Sequence, residues 1–199
     1  MKIVHAGLAA LMLVGAGCAH QVTFDRPAEY TISASRQEVG VTAVIDQNTL
    51  TNKVVIRTLT GVVIHMFMIP IAHTWEVEPG DMLKQVANIE LPQMFSRYEL
   101  ATAYVEPAPG PRWIVLEFTI PSYQFEEFRA KVSVTATAYD RGRRQLLQKT
   151  YSAEGETQGA KMYWARAFGM KSAIRQSSLD AYKKVFAEIR SDLAAALRN

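Results

Sequence analysis

Few side chains in this chain could do chemistry, and their spacing narrows the choice further. The 199 residues include four histidines and one cysteine. His65 and His73 flank Pro70, with Glu76 and Glu78 close behind. A metal site would need a loop that gathers these four, because ligands must converge on one point. There is no His-Glu-x-x-His run and no histidine pair one helical turn apart. A histidine hydrogen-bonded within a sheet is the plainer expectation, and neither a metal nor another cofactor is expected. Nucleophilic catalysis would need a Ser with a His base and an acid to orient it. Gly-x-Ser-x-Gly and Ser-x-x-Lys are both absent, Ser122 follows a proline, and Ser177 and Ser178 are expected on the solvent side of a helix. Glu126 and Glu127 are adjacent, and adjacent strand residues point to opposite faces, so they are poor partners in acid–base work. Gly-rich phosphate loops are missing too. No catalytic activity is expected.

The single thiol carries the strongest signal. Lys2 precedes an apolar run from Ile3 to Val14, and Gly15, Ala16 and Gly17 lead directly into Cys18. That run is too short to cross a bilayer comfortably but suits a secretory signal. Gly-Ala-Gly-Cys resembles the bacterial lipobox, although Gly15 stands where Leu is usual, with Leu13 and Val14 supplying bulk just before it. That resemblance implies cleavage before Cys18, a diacylglycerol on its sulfur and an acyl chain on its new amino group. Acyl chains contribute about 0.8 kcal/mol per buried CH₂, so several of them would hold the chain to a membrane effectively permanently. Ala19 in place of Asp resembles the outer-membrane sorting pattern of Gram-negative cells, with the chain facing the periplasm. An ordinary signal cut near Ala19, discarding Cys18, is the alternative. With no second cysteine, an internal disulfide or a cysteine nucleophile is excluded from the mature domain.

Composition agrees with one ordinary folded domain. Hydrophobic residues make up 49% and charged residues 21%, which excludes a disordered tail, a disulfide-stapled miniprotein and a polytopic membrane protein. Lys and Arg number 22 against 19 Asp and Glu, and an excess of +3 without clustering argues against nucleic acid. The expected organisation is a signal peptide over 1–17, a tether over 18–27 and a single periplasmic domain over 28–199.

Periodicity supplies the elements. Alternation predicts strands over 30–35, 39–45 and 53–58, with a turn at Asp46-Gln47-Asn48. Residues 61–72 are the most apolar stretch, expected as a buried strand or as an exposed greasy loop that meets lipid or a partner. Pro79-Gly80-Asp81 predicts a helix start with Asp81 as cap, a stripe through Met82, Val86 and Ile89, and an end or kink at Pro92. Another strand is expected over 98–105. Ile114 to Ile120 and Phe128 to Ala138 alternate cleanly, turn at Asp140-Arg141-Gly142 and return over 145–153. A helix from about Lys171 to Arg198 carries Ile174, Tyr182, Val185, Phe186, Ile189, Leu193 and Leu197 on one stripe. The predicted fold class is α+β, a mainly antiparallel sheet with two helices packed on one face, the C-terminal one long.

Two stretches outside that scheme are candidate partner-binding surfaces. One is residues 62–71, represented by Phe67 and Met68. The other is the aromatic segment before the last helix, with Tyr163, Trp164, Arg166 and Phe168; aromatics beside an arginine suit a partner's pocket, or else cap the core. Arg141, Arg143 and Arg144 form a basic hairpin tip, read as a solvated turn or as a contact for anionic groups.

Cys18, the Trp-to-helix segment over 75–95, Asp140-Arg141-Gly142 and the Ala- and Leu-rich end over 181–197 together resemble the YajG-like and ABC-transport auxiliary lipoproteins of the bacterial envelope. That resemblance implies a non-catalytic accessory or adaptor role in envelope assembly or transport, through an envelope protein partner. The alternative expectation is a periplasmic lipoprotein that binds a lipid or small ligand between sheet and helices.

Overall fold

The computed structural model describes residues 18–24, 30–32, 36–64, 67–106 and 112–198, with side chains described except at 18, 59–64, 67–71 and 160–168. The predicted α+β class holds, in two sheets. Strands β1 (Cys18–Val22), β3 (Val54–Ile64) and β4 (Phe67–Val77) form the smaller, in the order β1-β4-β3. The larger has the order β5-β2-β6-β7-β8, from β2 (Gln37–Ile45), β5 (Phe95–Ala101), β6 (Trp113–Glu126), β7 (Arg129–Asp140) and β8 (Gln145–Glu154). β6, β7 and β8 form an antiparallel meander, while β2 lies parallel to both β5 and β6. The helices are α1 (Gln47–Thr51), α2 (Pro79–Met94) and α3 (Gly159–Ala196).

The meander follows the alternation that predicted it. Ala130, Val132, Val134, Ala136 and Ala138 are all buried on one face of β7. Their small size lets α3 lie across β7 and β8. Ile174, Tyr182, Val185, Phe186, Ile189 and Leu193 fill the gap, and the Phe118 and Phe186 rings meet at 5.6 Å. A bulge between Thr119 and Ser122 shifts the register of β6, so the buried set changes from Ile114, Leu116 and Phe118 to Tyr123. The β6–β7 turn places Glu127 and Phe128 at φ of 50° and 58°, the left-handed pair that a tight hairpin needs.

Several expectations need correction. The segment read as a tether begins as strand: residues 18–22 are β1, and Val22 and Phe24 are buried, so this stretch is part of the core and not a spacer. Tyr30 and Ile32 are not in a strand; Ile32 N–H donates to Gln93 Oε1 at 2.9 Å, so this stretch hydrogen-bonds to α2 side chains. Residues 33–35 lie outside the described set. The apolar run over 61–72 is not one strand but the end of the β3–β4 hairpin, with Ile64 opposite Phe67. Asp46 caps α1 by accepting from Thr49 N–H at 2.9 Å, where only a turn was expected.

Asp81 is not the cap of α2. Glu78 holds that position without a side-chain bond, and Asp81 sits in the first turn, where its charge favours the helix dipole and Gln85 Nε2 donates to it at 3.0 Å. The helix passes through Pro92 and ends two residues later. β5 therefore starts at Phe95, earlier than expected. α3 starts at Gly159, twelve residues ahead of the expected start, because the aromatic segment has apolar residues on all sides and hides helical periodicity. At 1.5 Å per residue its 38 residues extend about 57 Å.

Candidate functional site

The end of the molecule that carries Cys18 is built by β1 and β4. They run parallel, with Cys18 opposite His73 and His20 opposite Trp75. His20 Nε2 lies 3.2 Å from His73 Nδ1, and the His20 ring stacks on Trp75 at 4.4 Å. Trp75 Nε1–H donates to Thr58 Oγ1 at 3.0 Å, closing the cluster onto β3. Alternation along β4 buries His73, Trp75 and Val77. Glu76 points the other way, toward Lys53, with an N–O separation of 3.4 Å, and Lys53 also meets Glu78 at 3.6 Å. Of the four residues weighed as metal ligands, His73 and Glu76 thus point to opposite faces of β4, and His65 is outside the described residues. Among the described residues, no group of three His, Cys, Asp or Glu could hold a metal ion.

The named partner-binding residues occupy two places. Phe67 and Met68 open β4 at the end of the hairpin. Tyr163, Trp164, Arg166 and Phe168 belong to the first turns of α3. Their side chains lie outside the described set. Lys171, one turn past Phe168, donates to Thr23 Oγ1 at 3.2 Å, which ties this helix to the end of β1.

Sequence reasoning missed the buried ion pair between the two long helices. Glu90 on α2 is 2% exposed, Arg190 Nη1 on α3 donates to its Oε2 at 2.8 Å, and the Tyr30 hydroxyl donates to Oε1 at 3.0 Å. Lys183 Nζ sits 4.0 Å from the centre of the Tyr30 ring. Burial raises the Glu90 carboxyl above its ordinary value, against the lowering pull of the Tyr30 hydrogen bond and the Arg190 and Lys183 charges. Burial, then the Glu90 charge, likewise raises the Tyr30 hydroxyl. Both carboxylate oxygens are engaged, so the arrangement locks helix to helix. The signal available in sequence was a charged residue on the apolar side of α2, between Val86 and Leu91.

The serines expected at the surface are buried. Ser177 Oγ accepts from Ala130 N–H at 2.8 Å, and Ser178 Oγ donates to the Ile174 carbonyl at 2.6 Å while lying 2.8 Å from the Tyr123 hydroxyl. Their side chains fill helix–sheet contacts, where an unbonded hydroxyl would be costly. Glu126 pairs with Lys131 at 3.2 Å, and Glu127 sits in the turn. At the basic tip, Arg144 Nε meets Asp140 Oδ2 at 3.0 Å and Arg143 lies over the Tyr104 ring at 4.4 Å. Two of its three arginines are thus engaged within the domain.

Among the described residues, two open grooves offer places for a ligand. One, of about 630 Å³, lies between α1 and the bulged part of β6, with Asn48, Asn52 and Val54 facing Pro121, Ser122 and Gln124. The other, of about 300 Å³, lies where α2 meets β5 beneath the last turns of α3, with Met94, Phe95, Arg190, Leu193, Leu197 and Arg198 around it.

No family model matches the chain. A search of curated proteins finds no match either. Among solved structures, it is similar to the hypothetical protein CT253 from Chlamydia trachomatis, with 10% identity and a TM-score of 0.38, covering 78% of this chain and 98% of that one.

Proposed function

We propose that this protein is a non-catalytic lipoprotein of the bacterial outer membrane, facing the periplasm, that serves as an accessory or adaptor in envelope assembly or transport by binding a protein partner. The observation that carries this reading is the apolar run from Ile3 to Val14 that leads through Gly15, Ala16 and Gly17 into Cys18, the one thiol of the chain. Cys18 lies on β1, which pairs with β4, so a diacylglycerol on it would hold the domain close against the membrane.

Cys18→Ser tests the anchor. Intact mass of the native protein is expected to show the acyl additions and a chain starting at Cys18. The serine variant is expected to lose those additions and its outer-membrane localisation. An unmodified thiol in the native protein would end the reading.

The binding role has its own test. Trp164→Ala with Phe168→Ala is expected to abolish in-cell crosslinks to the envelope partner while leaving the thermal midpoint nearly unchanged. A midpoint that collapses would assign the aromatic segment to the core instead. The groove beside Arg198 favours a second reading, a periplasmic lipoprotein that binds a lipid or small ligand, because it combines apolar walls with a cation.

A further inference from the structure

The register of the small sheet fixes where Cys18 stands along the β3–β4 hairpin. Cys18 is opposite His73, and His73 is opposite Thr58, so the three share one rung. Because β1 and β4 are parallel, the N-terminal end of β1 faces the beginning of β4. β4 begins at Phe67, and β3 stays paired with it as far as Ile64. The hairpin therefore projects past the Cys18 rung by the six residues from Ala72 back to Phe67, about 20 Å at 3.4 Å per residue.

Charge changes at that same rung. Arg57, opposite Thr74, is the last charged residue of β3, and Glu76 is the first of β4. From Thr58 to Thr74 there is no Asp, Glu, Lys or Arg. A diacylglycerol on Cys18 would sit at this boundary, at the base of the uncharged projection.

We propose that the end of this hairpin is a second membrane contact, lying in the interfacial layer of the leaflet that holds the Cys18 acyl chains. This rests on the lipid-anchor reading of Cys18. Backbone pairing limits the depth. β3 has no strand neighbour beyond β4, and β1 covers β4 only from His73 onward, among the described residues. Unpaired N–H and C=O groups in hydrocarbon each cost several kcal/mol, so the hairpin settles among headgroups and does not thread the bilayer. Residues 62–64 and 67–69 are apolar without alternation, unlike a strand that lines a water-filled barrel. An anchor and a second contact together hold the domain in one orientation, where an anchor alone lets it swivel.

The test uses the full-length acylated protein in vesicles of phosphatidylethanolamine and phosphatidylglycerol. Acylation consumes the only native thiol, so Phe67→Cys and Met68→Cys can each carry an environment-sensitive fluorophore at a unique site, with exposed Gln148→Cys as control. Adjacent strand positions sample both faces. At position 67 or 68 the expected result is blue-shifted emission, quenched by brominated lipid and protected from aqueous iodide, with the reverse at 148. With acylation confirmed by mass, iodide quenching at both hairpin positions, or shielding from both quenchers as in a protein interface, overturns the hairpin contact and leaves the anchor standing. An unmodified Cys18 overturns both.

Discussion

Arg190→Ala is expected to lower the stability of the domain by about 3 kcal/mol, because it leaves the Glu90 carboxylate buried without its cation. Arg190 is 27% exposed, so some water reaches the site and the cost falls at the low end of the range for broken buried pairs. For a domain of this size that corresponds to a fall in thermal midpoint of about 6–12 °C. The pH dependence separates this cause from lost packing. Burial holds the Glu90 carboxyl above its ordinary 4.5. A carboxyl whose folded value is raised binds its proton more tightly in the folded state. Its contribution is therefore complete below 4.5 and is lost as pH rises through the folded value. Removing Arg190 takes away a charge that lowers that value and so raises it further. The deficit of the variant against its parent should then be largest near neutral pH and shrink on acidification. Glu90→Gln in the Arg190→Ala background should recover much of the neutral-pH loss. Thermal unfolding at about pH 4 and about pH 7.5 reads both effects, and a deficit independent of pH would assign it to packing alone.

Gly155→Ala is the second large effect expected. A Cβ at this position would lie 1.9 Å from the Ser177 carbonyl oxygen and 2.4 Å from Ser177 Oγ. The nearer obstacle is helix backbone, so relief requires α3 to move away from the sheet. Gly155 N–H donates to the Ala130 carbonyl, and Ala130 N–H donates to Ser177 Oγ, each at 2.8 Å. Displacing the helix stretches this bridge and opens the packing along β7. Overpacking of this kind costs about 3 kcal/mol at the upper end of its usual range. Ser177→Ala alone strands the Ala130 amide and should cost about 1–3 kcal/mol. The double variant should lose less than the sum, since one movement of α3 disrupts both contacts. Denaturant unfolding should show a lower midpoint with an unchanged slope, and additive losses would mean that the two sites act independently.

How much of this was legible beforehand depends on the range of the forces involved. The β6–β7–β8 meander could be read because alternation marks a buried face residue by residue, and apolar and polar types alternate from Ala130 to Ala138, although Thr137 is buried along with Ala136 and Ala138. The stripe of α3 from Ile174 to Leu193 could be read for the same reason. The start of α3 could not, because apolar residues on every side of the segment over 162–170 leave no periodic contrast. The hairpin end could not, because an apolar run looks the same whether it continues or turns back at 65–66. Ser177, Ser178 and Glu90 were hidden for another reason. A polar side chain is buried only when a partner awaits it, and those partners are Ala130, Tyr123 and Arg190, which lie 47, 55 and 100 residues away.

The α+β class, the antiparallel meander, the apolar stripe of the last helix and the single thiol behind an apolar run were all legible in the chain alone. All of these are local, written in side-chain type and short-range spacing. The parallel placement of β2 between β5 and β6, the docking of β1 on β4 and the rung that Cys18 shares with His73 and Thr58 emerge only on folding. Parallel pairing joins segments far apart in the chain. Its register is set by the packing of whole elements, which no window of neighbouring residues contains.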